Sequence, residues 1–273
     1  MTIWQAIILG IIQGLTEFLP VSSSGHLVIA PYLFGWQIPE SQIFPFDVLV
    51  QWGTLLAVII YFRKDLWGIV RDFLVGIFQK KPFGSTNARM GWYLVIATIP
   101  AVVIGFLFKD AIEQVFHSVL ATALFLLVTA GLLIISEKIQ KTSKDLSKMN
   151  WVDALVIGFC QVLSILPGVS RSGSTIAGGL FRNIHRTEAA RFSFLMSIPV
   201  MLGAGLLSLD DLFEIPNLLS FAPSMVVGFI SAAIVGFLSI HWLLKFLNKN
   251  KLIYFAYYCI ILSVLTVIIF LVR

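Results

Sequence analysis

The sequence predicts an all-α polytopic membrane protein with six transmembrane helices plus two re-entrant broken-helix hairpins, arranged as an inverted-topology repeat. Three observations predict it. Of the 273 residues, 58% are hydrophobic and 12% charged, a balance that soluble domains do not show. Most of the basic residues are gathered into four loops. Two short stretches, one opening each half of the chain, repeat each other in polar residues and glycine.

The opening MTIWQAIILGIIQG carries no Lys or Arg, so it lacks the basic start of a cleaved signal peptide and is expected to stay in the mature chain. Residues 1–36 form the first hairpin, two half-helices broken at Pro20, because proline removes a backbone donor and clashes with the preceding turn. Apolar stretches of about one bilayer span, roughly 20 residues, then start around Phe46, Trp92 and Ser118. A second hairpin at 151–181, broken at Pro167, is followed by spans starting around Arg191, Pro223 and Lys251. Cys160 and Cys259 lie in apolar runs without metal-ligand spacing and are expected to be free thiols.

The charge pattern orients these elements. Arg63, Lys64, Arg71, Lys80, Lys81 and Arg89 share one polar loop, and Lys138, Lys141, Lys144 and Lys148 a second. Arg182, Arg186 and Arg191 occupy a third, and Lys245, Lys249 and Lys251 a fourth, so these loops hold 16 of the 19 basic residues. Segments 109–118 and 209–222 are acidic, with Asp110, Glu113, Asp210, Asp211 and Glu214 against Lys109. Basic loops stay on the cytoplasmic side. Residues 63–91 and 137–150 are therefore expected inside, and residues 36–46 and both termini outside. This clustering argues against a nucleic-acid partner for the net charge of +5.

AIILGIIQGLTEFLPVSSSG (6–25) aligns without gaps on ALVIGFCQVLSILPGVSRSG (154–173), and both read GxxQxx[ST] followed by VSxSG. Chance likeness between apolar runs supplies Leu and Ile, not glycine, Gln and Ser. A hairpin and three spans follow in each copy, and the copies start from opposite sides. The chain thus reads as one membrane domain, 1–273, with repeat one at 1–148 and repeat two at 149–273. Ser22 to Gly25 and Ser170 to Gly173 are expected to start the second half-helices. Helix N-termini with serine hydroxyls and close-approach glycines make an anion cradle, and non-helical backbone inside a membrane is tolerated where protein or water satisfies it.

Apart from boundary positions such as Asp47 and Asp153, Glu17 is the one carboxylate in an apolar segment. Arg171 is the one such arginine apart from the terminal Arg273. Ionisable residues there are functional candidates by default, and the plain alternative is an ion pair joining the repeats. Gln13 and Glu17, four apart, share a helix face and together with phosphate oxygens suit a hard cation, Mg2+ or Ca2+. A guanidinium fork binds phosphate bidentately, so Arg171 points to a phosphorylated ligand. His26 follows three serines at a helix break, a position suited to proton transfer.

QGLTEFLPVSSSGH resembles the (E/Q)xxxE plus PxSSxGH signature of the bacterial undecaprenyl-diphosphate phosphatases, also called the bacitracin-resistance protein family, and PGVSRSGST resembles their PGxSRSGxT signature. The resemblance extends over essentially the whole chain, including FDVLVQWGTLLAV at 46–58. It implies removal of the terminal phosphate from C55 isoprenyl diphosphate, giving the monophosphate carrier of peptidoglycan synthesis in the bacterial inner membrane. Gln13 and Glu17 take the metal-associated positions, Gln13 as the amide variant. Ser22, Ser23, Ser24 and His26 take the serine-histidine positions, and Ser170, Arg171, Ser172 and Thr175 the second motif. The expected catalytic residues are Glu17, Ser23, His26 and Arg171, with Ser23 or a water as nucleophile. Ser22, Ser24, Ser170, Ser172, Thr175 and Gln161 are the expected substrate contacts.

Two rival functions have the same general footing. A lipid-phosphate flippase or transporter also uses inverted repeats and midplane polar residues. The other membrane lipid-phosphatase superfamily shares the SGH element but pairs it with SRxxxxxHxxxD, and here Ala177 stands at the His position. That superfamily is excluded. The expected partners are the bilayer, a polyprenyl diphosphate and, in a homo-oligomer, further copies of the chain.

Overall fold

The computed structural model describes residues 1–108, 118–141, 143–207 and 218–273. Among these residues the regular structure is helical, with eleven α-helices and two short 3-10 turns. The acidic residues of both expected outside segments, Asp110, Glu113, Asp210, Asp211 and Glu214, lie outside the described residues.

Helix α1 (Ile3–Phe18) starts at Thr2, whose hydroxyl accepts from Gln5 N while the Gln5 side chain returns to the cap, a capping box. It stops before Pro20, whose ring cannot continue the hydrogen-bond ladder. Helix α2 (Ser23–Phe34) begins at the Ser22 cap and ends on Gly35 in the left-handed conformation. Then follow α3 (Glu40–Tyr61), α4 (Arg63–Phe78), α5 (Thr86–Leu107) and α6 (Val119–Ile139). The second half opens the same way. Asn150 and Asp153 form a capping box on α7 (Trp151–Val162), a 3-10 turn covers Leu163–Ile165, and α8 (Arg171–Phe181) begins at the Ser170 cap. Helices α9 (Arg186–Leu207), α10 (Leu218–Leu247) and α11 (Ile253–Val272) complete the chain.

Among the described residues six helices are long and apolar enough to cross a membrane: α3, α5, α6, α9, α10 and α11. The count is the one expected, so the chain is a multi-pass membrane protein. Three spans begin about five residues ahead of their expected starts, at Ser41, Thr86 and Arg186, because polar residues at span ends remain helical into the interface. The stretch read as one polar loop at 63–91 is corrected by the structure. Residues 63–78 are helical, since RKDLWGIVRDFLVGIF buries Ile69 and Gly76 at helical spacing while Trp67 and Phe78 stay exposed. Cys160 and Cys259 are free thiols as expected.

Packing is exchanged between the halves. Helix α1 lies along α10 and α7 along α5, with α6 against α11 and α3 against α10. The aligned glycines Gly10 and Gly158 permit the first two contacts. A Cβ on Gly10 would sit 2.4 Å from the Gly228 carbonyl oxygen of α10, and one on Gly158 2.5 Å from the Ala97 carbonyl oxygen of α5. Small residues at such crossings let helix backbones approach closely. At the basic ends, buried Asp153 receives Lys144 Nζ at 2.6 Å and Arg182 Nε at 2.7 Å. That cluster ties the linker after α6 to both α7 and α8.

Candidate active site

The two helix breaks touch each other. At the first, Ser22 holds φ 72° and ψ 101°, a strained conformation for a residue with a Cβ. The turn lets the Ser22 hydroxyl accept from Gly25 N at 3.2 Å, and its carbonyl accept from His26 N at 3.2 Å. At the second, Gly168 supplies φ +94° and the Ser170 hydroxyl accepts from Gly173 N at 3.0 Å. A Cβ on Gly25 would lie 3.3 Å from Gly168 Cα. Ser172 Oγ also donates to the Leu19 carbonyl at 3.0 Å, across the junction. The two motifs, about 150 residues apart in sequence, therefore build one site.

Glu17 is its centre. Its Oε2 accepts from Ser23 Oγ at 2.7 Å and from Gln13 Nε2 at 2.8 Å, while Oε1 accepts from an Arg171 terminal nitrogen at 2.6 Å. Gln13 Nε2 also approaches Thr54 Oγ1 of α3 at 3.4 Å. The carboxylate is 6% exposed and the guanidinium side chain 14%. Either charge alone would be costly at that depth, so each neutralises the other. Arg171 is held from behind as well, because its second terminal nitrogen donates to the Ser193 carbonyl at 3.2 Å. Two of its five N–H donors are so used. Its other three N–H groups have no hydrogen-bond partner among the described residues.

Ser23 and Ser24 are only half-buried and give the site its accessible side. Ser22 and Ser24 hydroxyls stand 3.3 Å apart, and Ser170 and Ser172 hydroxyls 3.1 Å apart. Ser170, Ser172 and Thr175 are buried, and their hydroxyls are engaged inside the protein. Thr175 Oγ1 donates to the Arg171 carbonyl at 2.8 Å and lies 2.6 Å from Ser193 Oγ. Thr129 Oγ1 accepts from Ser170 N at 2.9 Å and donates to the Gly168 carbonyl at 3.1 Å. These bonds fix the start of α8 and hence Arg171.

The tautomer of His26 follows from its partners. Nδ1 lies 2.7 Å from the Ser22 carbonyl oxygen, which can only accept, so Nδ1 carries the hydrogen. Nε2 is left as the atom that gains or loses a proton. It lies 2.7 Å from the hydroxyl of Tyr258 on α11, with the two rings nearly parallel at 4°.

The structure thus gathers Gln13, Glu17, Ser22, Ser23, Ser24, His26, Ser170, Arg171, Ser172 and Thr175 around one junction. Gln161 stands apart. It is buried, and both atoms of its amide have no hydrogen-bond partner among the described residues. Sequence reasoning missed Thr54, Thr129, Ser193 and Tyr258. A hydroxyl inside an apolar span is a usable signal for the first three. A tyrosine in the run IYFAYYCII carries none.

Among the described residues there is no cluster of three or more His, Cys, Asp or Glu side chains able to hold a metal ion. The donors at the junction are one carboxylate, one amide and serine hydroxyls. That oxygen set fits Mg2+ or Ca2+ on condition that a diphosphate supplies further oxygens. Gln13 meets Glu17 through its nitrogen, so a cation shared by both residues requires the amide turned over.

Comparison with known proteins decides the family. The family model described as "Bacitracin resistance protein BacA" matches residues 6–265. The chain belongs to the BacA family. That match includes both helix breaks and all six membrane helices in whole or large part. A relative from Methanosphaera stadtmanae, named undecaprenyl-diphosphatase, is 43% identical over 278 residues, covering 97% of each chain. Relatives with the same name from Chlorobaculum tepidum and Myxococcus xanthus are 43% and 41% identical and cover 97% and 98% of this chain. Within this BacA-family chain, Glu17, half-buried Ser23 and Arg171 meet at the junction of the two helix breaks.

Proposed function

We propose that the chain is an undecaprenyl-diphosphatase, a hydrolase that releases the terminal phosphate of C55 isoprenyl diphosphate and returns the monophosphate carrier to cell-wall synthesis. One observation carries the reading for this chain: Glu17 holds the Ser23 hydroxyl and the Arg171 guanidinium at once. That arrangement supports reading Glu17 as the base, Ser23 as the nucleophile and Arg171 as the phosphate-binding fork. The relatives' names are those of a hydrolase, which favours hydrolysis over lipid transport.

The diphosphate binds through the free N–H groups of Arg171 and the first-turn amides of α2 and α8. Capping by Ser22 or Ser170 satisfies one amide of each helix, which leaves others for an anion. Ser23 Oγ attacks the terminal phosphorus in line with the bridging oxygen, and its proton passes to Glu17 Oε2. The phosphoanhydride bond breaks, and the lipid monophosphate leaves with the electron pair. Water then attacks the phosphoserine, giving inorganic phosphate and restoring Ser23, with His26 Nε2 exchanging the proton. Arg171 stabilises the charge on the transferring group through both stages. Glu17 and Gln13 would hold a divalent cation, which when bound neutralises diphosphate charge.

The α1–α2 and α7–α8 pairs are read as re-entrant hairpins of an inverted repeat, dividing one membrane domain into 1–148 and 149–273. Supporting this reading, both breaks are capped alike by serine, and the first helix of each half packs on the second span of the other. The basic loops favour a cytoplasmic-membrane protein with both termini outside. Its test is labelling of single cysteines in intact cells: a Cys at position 144 should resist an impermeant reagent.

The activity is tested by phosphate release from undecaprenyl diphosphate by detergent-purified protein, with and without chelator. Release in the presence of Mg2+ and its loss in chelator are expected. Full activity in chelator would remove the cation, and no release from any polyprenyl diphosphate would overturn the hydrolase reading.

A further inference from the structure

A groove of about 580 Å3 opens between α1, α10 and α11. Its size is that of a small-ligand site, roughly 300–1,000 Å3. Leu15, Leu19 and Val21 line one wall, and Trp242, Phe246 and Tyr258 the other. Leu15, Trp242 and Tyr258 are each more than two-fifths exposed, so the groove faces laterally, where membrane helices meet lipid. A second cleft of about 280 Å3, lined by Ala57, Ile60, Ala233, Ile234, Phe237 and Leu238, has no polar side chain along it. That cleft is an ordinary lipid-facing furrow.

The first groove ends differently. At its inner end the Tyr258 hydroxyl meets His26 Nε2 at 2.7 Å, Val21 adjoins the Ser22 cap, and Leu15, Thr16 and Leu19 bracket Glu17 along the chain. A chain covalently attached to a diphosphate at Arg171 must leave the site along an apolar wall, and this wall meets the site at Tyr258, which touches His26, and at Val21 beside Ser22. We propose that the groove receives the first isoprene units of the lipid diphosphate, with Tyr258 at the junction of tail and headgroup. This rests on the diphosphatase reading. The flat faces of Trp242 and Phe246 offer the area for methyl-branched, unsaturated units. Tyr258 lines the tail's path with its ring and holds the imidazole with its hydroxyl, which makes it a positioning residue for His26.

The direct test is photo-crosslinking of the wild-type protein with a farnesyl methylene-bisphosphonate that carries a diazirine in its first isoprene unit. Label is expected on peptides within residues 15–21 or 242–258, the two walls of the groove, and should be competed by unlabelled undecaprenyl diphosphate. Label confined to segments outside these two walls would overturn the proposal. Leu15→Trp narrows the mouth, so the ratio of kcat/KM for farnesyl diphosphate to that for dimethylallyl diphosphate should fall at least tenfold, and an unchanged ratio counts against the groove. Tyr258→Phe keeps the ring, so it should leave KM for farnesyl diphosphate within twofold while lowering kcat and moving the pH profile of kcat. A raised KM with an unmoved profile would strip Tyr258 of the positioning role. If the wild type hydrolyses no diphosphate, the diphosphatase reading fails, while the cross-link still reports whether the groove binds the lipid.

Discussion

The two helix breaks share a frame and differ in chemistry. Both place a serine at the N-cap with its hydroxyl on the amide three residues on, and both pair that serine with a second hydroxyl two residues later. The first break puts Glu17 before its turn and Ser23 after it, whereas the aligned positions of the second hold Ile165 and Arg171. The first supplies a carboxylate and a hydroxyl, the second a guanidinium. Neither half could neutralise a buried diphosphate and activate a hydroxyl by itself. Exchange of packing between the halves is what brings the complementary groups within 2.6 Å.

Substitutions sharpen that contrast. The largest effect is expected at Ser23: Ser23→Ala should lower phosphate release on the order of 10³-fold with the fold intact, because it removes the proposed nucleophile. Retention of most activity would transfer attack to a water held by Glu17. Next is Arg171→Lys, expected to cost about 10²-fold in kcat/KM, since a point charge does not reproduce the fork. The frame itself should respond chiefly in stability. Ser170→Ala removes a helix cap and should destabilise by about 1 kcal/mol, read as a lower melting temperature in detergent. The smallest effect is the informative one for strain. Ser22→Gly loses the same kind of cap but relieves the positive φ, so its melting temperature should fall less than that of Ser170→Ala.

Much of this site is legible in the residues, for a physical reason. Charges and prolines in apolar sequence have few tolerable places, so Glu17, Arg171 and the two breaks stand out, and the repeated serine caps follow from the alignment. Repeat logic alone does not separate Gln161 from Gln13. Its counterpart Gln13 has Glu17 one turn on, but Gln161 has Ile165 there, and its amide is left unpartnered among the described residues. Helix α4 is hidden because charged residues on one face mask the helical spacing of Ile69 and Gly76. Tyr258 is invisible because aromatic residues are ordinary in membrane helices; its role comes from a contact across 232 positions of sequence.

The central claim is that Glu17 and Arg171 form a catalytic pair and not merely a structural ion pair. The Glu17→Gln, Arg171→Met double variant measures it, because a buried ion pair is often replaced by neutral residues without loss of stability. Phosphate release from undecaprenyl diphosphate should be assayed alongside the melting temperature in detergent. A folded protein with release reduced at least about 10³-fold is the predicted result. A folded protein that still releases phosphate at an appreciable fraction of the wild-type rate would contradict the account and return both residues to a structural role.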